Sequence, residues 1–156
     1  MKSICFPDEE ISKDDHLFVC YMIERVSRKL HQRNRYTVSR IGRKNLEHCL
    51  SVGDVLHAEN PEDVEDQWIA DYGLEMGSFD IARVDLSLVE RIPSALAMGK
   101  VYCRLVLDAM QPDEDYADGI IRVYSSGICR TIDDCNASAY CEPSYVIARA
   151  YLNGGF

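Results

Sequence analysis

The stretch from Asn60 to Gly73 has the least conformational choice in the chain. Asn60 can accept a hydrogen bond from the free N–H groups at a helix start, and Pro61 has no N–H to leave unpaired at the first helical position. Glu62 and Asp63 then bring negative charge to the positive end of the helix dipole. Val64, Trp68, Ile69 and Tyr72 form an apolar face at three/four spacing, and Gly73 stands where a left-handed residue closes a helix. The pattern predicts a helix over 61–72. Its apolar stripe must be covered by another element of matching period.

That period recurs. Ser12 precedes Asp14 and Asp15 as a helix start, and Val19, Met22, Ile23, Val26 and Leu30 continue as a buried face until the pattern fades at Arg33-Asn34. Residues 37–41 read as a short helix or turn closed by Gly42, followed by a helix from about Arg43 to Ser51 on Leu46, Cys49 and Leu50. Leu86, Val89 and Ile92 suggest a short helix before Pro93. Ser94 caps a longer one carrying Met98, Val101, Tyr102, Leu105 and Met110 and stopped by Pro112. Over 119–152, Ile121, Tyr124, Ile128 and Ile132 fit a helix, although Ser126-Gly127 would also serve as a hairpin turn within 119–133. Glu142-Pro143-Ser144 begins a last helix that runs to Asn153-Gly154. The expected fold class is all-α, a single domain over 1–156 built as a compact bundle of five to seven helices.

At 156 residues, 47% apolar and 28% charged, the chain can bury a core without metal or disulfide support. Its opening, MKSICFPDEE, lacks the apolar core of a secretion signal, and no stretch approaches the ~18–20 apolar residues of a membrane span. A soluble, cytoplasmic protein without membrane contact is expected. Seven cysteines with no C-x-x-C pair point to reduced thiols rather than a disulfide frame or zinc site. No cofactor and no metal are expected.

Charge is distributed unevenly. The formal total is −9, yet residues 25–44 carry Arg25, Arg28, Lys29, Arg33, Arg35, Arg40, Arg43 and Lys44 with no acid among them. Positions 25, 28, 29 and 32 share one side of a helix. These eight cations are the candidate partner-binding residues. Three readings compete: pairing inside the fold with the acidic helix at 59–71, contact with an acidic protein, and a helix-turn-helix-like phosphate surface. Net acidity weighs against general affinity for polyanions.

Glu62, Asp63, Glu65, Asp66 and Asp71 match no calcium loop and read as a solvated face. A cysteine nucleophile needs a nearby base. His48 adjoins Cys49, but sequence neighbours on a helix point about 100° apart. A cysteine-dependent enzyme using Cys49 or Cys141 with His57 is the least favoured alternative. Tyr116, Tyr124, Tyr140, Tyr145, Tyr151 and Phe156 suit either an interface or the rim of a core.

The segments IERVSRKLHQRNRYTVSRIG, DVLHAENPEDVEDQWI and GSFDI resemble a family of uncharacterised small bacterial proteins over about residues 14–81. Some of these are similar to presumed antitoxin or immunity partners of ADP-ribosyltransferase-like toxins. The resemblance implies a helical, non-enzymatic partner-binding protein and transfers no functional residue.

Overall fold

The computed structural model describes residues 1–156 as eight α-helices and two short 3₁₀ turns, with no strand. Serine and aspartate side chains start several of them. Ser12 Oγ accepts from Asp15 N at 3.1 Å while Asp15 Oδ2 accepts from Ser12 N at 2.8 Å, and this reciprocal pair opens α1, Lys13–Lys29. Asn60 and Pro61 begin α4, Pro61–Tyr72, which Gly73 closes in the left-handed conformation, as its sequence predicts. Between these lie α2, Asn34–Ser51, and the short α3, Gly53–His57.

The expected short helix closed by Gly42 and second helix to Ser51 are both present, the first beginning at Asn34; α2 is these two joined at a kink, where Gly42 is non-helical with φ 78° and ψ 164°. Only glycine adopts that angle without strain. Asn45 Nδ2 donates to the Ile41 carbonyl at 2.9 Å beside the bend, so the chain kinks without ending. The expected helix over 86–92 is absent. Asp85 instead accepts from Ser87 N and Oγ at 2.9 and 2.7 Å, which winds a single turn. Of the proposed stripe only Val89 is buried, and Leu86 is 82% exposed.

Ser94 caps α5, Ala95–Ala109, as expected. The ambiguous tail resolves as α6, Tyr116–Tyr124, α7, Ile128–Asp133, and α8, Ser144–Asn153. Ser126-Gly127 separates two helices and makes no hairpin. The count of eight exceeds the expected five to seven because this tail divides and because Gly53–His57 winds a further short helix.

Helix α1 lies at the centre, against α5, α2, α4 and α3; α2 also packs on α6, and α5 on α8. All eight helices contribute to one continuous apolar core. From α4 to α5 the chain runs as an irregular strap. It is pinned where Gly77 N and Phe79 N donate to the Leu30 and His31 carbonyls, each at 2.8 Å. No helix is long and apolar enough to cross a membrane.

Candidate functional site

Burial of α1 between α4 and α5 decides the fate of the first cations. Arg25 pairs with Glu65 and donates to Tyr21 Oη at 2.8 Å, while Lys29 Nζ lies 2.8 Å from Asp66 and 3.4 Å from Glu65. Both are therefore neutralised by the tryptophan-bearing helix. Arg28 is held more deeply: Nε is 3.0 Å from the buried Glu24, and Nη1 donates to the Pro93 carbonyl at 2.8 Å. Arg43, just past the bend in α2, reaches Glu47, Asp115 and Asp118 at 2.9, 2.8 and 2.7 Å and ties α2 to α6. The Arg43 guanidinium holds the Asp118 carboxyl below its ordinary value. For Arg25, Arg28, Lys29 and Arg43, the expectation of outward, unneutralised charge is corrected. Each lies within reach of a carboxylate supplied by its own fold.

The other four remain at the surface without a carboxylate. Arg33 stacks over Phe79, with its guanidinium carbon 4.2 Å from the ring centroid, and Arg40 donates to the Gly73 carbonyl at 3.0 Å. Arg35 and Lys44 are exposed and make no ion pair. Lys44 stands apart, beyond the bend. The strap bounds a surface recess of about 480 Å³ against the start of α2, lined by Gln32, Arg33, Arg35, Tyr36, Ser39 and Phe79. Tyr36 Oη accepts from Glu75 N at 2.9 Å and Gln32 Nε2 donates to the Glu75 carbonyl at 3.0 Å, which seats the strap beside the two arginines.

Beneath the strap lies a polar centre that the charge pattern does not announce. Asn34 Nδ2 donates to Glu24 Oε2 at 2.6 Å and faces Asp133 Oδ1 at 3.4 Å, while Tyr102 Oη donates to Asp133 at 2.5 Å. Burial raises the Glu24 carboxyl and pushes Asp133 up to about 7. Phe79 and Ile81 cover these groups, and only about 10 Å³ of open space remains among them. Strongly perturbed carboxyls mark functional sites in many proteins. Here the centre is closed, and it serves as a joint between α1, α2, α5 and α7.

Neither Cys49 nor Cys141 is hydrogen-bonded to His57. Cys49 bonds Tyr72 Oη at 3.2 Å and burial pushes its thiol up to about 11; His57 packs on Phe18, 4.3 Å between centroids. Cys141 edges a recess of about 680 Å³ between the strap and α5, whose lining includes no histidine. The pairs that do meet are Cys5 with His48 at 3.5 Å on the surface and, inside, His16 with Cys103 at 3.3 Å and with Cys20 at 3.7 Å. His16 and Cys20, four residues apart on α1, share a face, and that spacing was the available sequence signal.

Among the late aromatics, Tyr124 is buried against Tyr102, 4.4 Å between centroids, whereas Tyr145 and Phe156 are exposed. Tyr116, Tyr140 and Tyr151 are half-buried at the core's edge. No group of three or more His, Cys, Asp or Glu side chains could hold a metal ion. No protein family, curated protein or solved structure matches the chain.

Proposed function

We propose that the protein is a non-enzymatic binding module whose recess at the start of α2 receives an acidic segment of a protein partner. The observation that carries this reading is Arg35, exposed on the recess rim with no carboxylate of its own, beside Arg33 on Phe79. Two guanidiniums on one rim can grip one or two carboxylates bidentately, and Tyr36 and Phe79 in the lining offer apolar contact alongside. The same small number of cations weighs against nucleic acid. Phosphate-backbone binding commonly draws on roughly 6–10 contacts, and four of the eight basic residues are already paired internally. A presumed antitoxin or immunity role, to which some members of the family it resembles are similar, is one setting in which such a module would work.

The test is co-purification of the product of a neighbouring gene with the wild-type protein and with Arg35→Glu combined with Ser39→Glu. The double variant should keep its helical circular dichroism and lose the partner. Retention of the partner by a folded double variant overturns the reading. Retention of duplex DNA by the wild type at low salt, lost in the variant, replaces it with nucleic-acid binding.

A further inference from the structure

Two thiols flank one imidazole where α1 and α5 meet, independently of the recess above. The helices run antiparallel, with Gly99 against Tyr21 and Cys103 against His16. Gly99 makes the approach close: a Cβ there would lie 2.9 Å from Tyr21 Cα and 3.4 Å from the Cys20 carbonyl carbon. One turn further along α5, Cys103 Sγ is 3.3 Å from His16 Nδ1; Cys20 Sγ, a neighbour of Cys103, is 3.7 Å from Nε2. His16 is fully buried, and Tyr116 stacks on it with 4.7 Å between centroids and 6° between planes. The two sulfurs are the only hydrogen-bond partners of its ring nitrogens, an unusual pairing for a buried imidazole. Among the buried cysteines Cys103 stands out. The neighbouring Cys20 thiol, with His16 and Lys13, pulls Cys103 down to about 5, whereas burial pushes Cys129 up to about 12 and also raises Cys20.

We propose that Cys103 and Cys20 are a peroxide-responsive thiol pair, with His16 moving the protons, and that oxidation joins α1 to α5 through a Cys20–Cys103 disulfide. The Cys103 proton passes to His16 Nδ1, and the thiolate attacks one oxygen of hydrogen peroxide. The O–O bond breaks, leaving Cys103 as a sulfenic acid, and the departing hydroxide takes the proton from His16 as water. Cys20 then gives its proton to His16 Nε2 and attacks the Cys103 sulfur. The S–O bond breaks, hydroxide leaves with that proton, and the sum is two thiols and one peroxide to one disulfide and two waters.

The experiment uses the full chain with Cys5→Ser and Cys141→Ser, because those are the two exposed thiols. Low hydrogen peroxide should give a species lighter by two hydrogens that maps to a linked Cys20–Cys103 peptide. With Cys20→Ser added, the reaction should stop at a Cys103 sulfenic acid that dimedone traps. His16→Gln should slow oxidation at pH 6 by about tenfold or more. Iodoacetamide alkylation of Cys103 in the His16 protein gives a second readout, should His16→Gln fail to fold. Its rate should change little between pH 8 and pH 6, whereas an ordinary thiol slows roughly a hundredfold. A hundredfold fall at Cys103 overturns the proposal, as does oxidation spread equally over Cys49, Cys129 and Cys135. A Cys103 sulfenic acid that persists beside an intact Cys20 overturns it too.

Discussion

The cationic flank of α1 and the start of α2 belong to one basic run, yet they fold into opposite situations. On α1, Arg25, Arg28 and Lys29 meet Glu65, Glu24 and Asp66 and become part of the scaffold. A few residues later, Arg33 and Arg35 border an open recess and form no ion pair. The difference comes from helix packing. α1 is covered by α4, whose acidic side faces it, while the outer side of the start of α2 is bordered by the strap. A row of like charges therefore reports composition; only the neighbour decides whether it holds the fold or faces outward.

The deepest part of the paired region should respond most. Asp133→Asn removes a carboxyl that burial raises from 3.8 to about 7, beside Glu24, Tyr102, Asn34 and Arg33. A raised acid contributes stability that is complete below its unfolded pKa and is lost as pH rises through its folded one. The wild type should lose stability between about pH 4 and pH 7, and the variant should lose less; at 1.36 kcal/mol per unit the difference is bounded at roughly 4 kcal/mol. Urea midpoints at pH 4 and pH 8 measure it. A difference of zero would show that Asp133 is not closed off beneath the strap.

Arg28→Ala leaves Glu24 buried without its ion partner, and about 3 kcal/mol should be lost in chemical denaturation near pH 7. Glu65→Gln keeps the shape of α4 but leaves Arg25 with weaker acceptors, for roughly 1–2 kcal/mol. Arg43→Ala breaks a more exposed contact between α2 and α6, so its cost should stay near 0.5–1 kcal/mol and shrink at high salt. At the open end, Arg35→Ala should change stability by no more than about 0.5 kcal/mol, since nothing in the fold leans on it. An Arg35 variant as damaging as the Arg28 one would erase the distinction between the regions.

Local chemistry was legible from sequence where it is self-contained. Ser12, Asn60-Pro61, Gly73 and Ser94 each act on backbone groups within a few residues, so their roles follow from identity and spacing alone. The 86–92 stripe misled because three apolar residues at helical spacing carry no information about the Asp85 turn competing for the same backbone. The candidate site was half legible. Complementary charge on α1 and α4 allowed internal pairing as one reading, but choosing it required knowing that the two helices touch. Glu24, Asn34 and Asp133 converge from three helices, and His16 meets Cys103 from across the chain. Such convergence leaves no mark at any one position.

The bend at Gly42 reaches further than the helix it interrupts. A straight helix would carry Arg35, Arg40, Arg43 and Lys44 along one rod and offer them together to a regular lattice of charge. The change of direction divides that row, aiming Arg43 at α6 while Arg35 overlooks the strap. What reaches the Arg35 side must be short, irregular and shaped to a corner, and a long uniform strand would find only one end of the ladder.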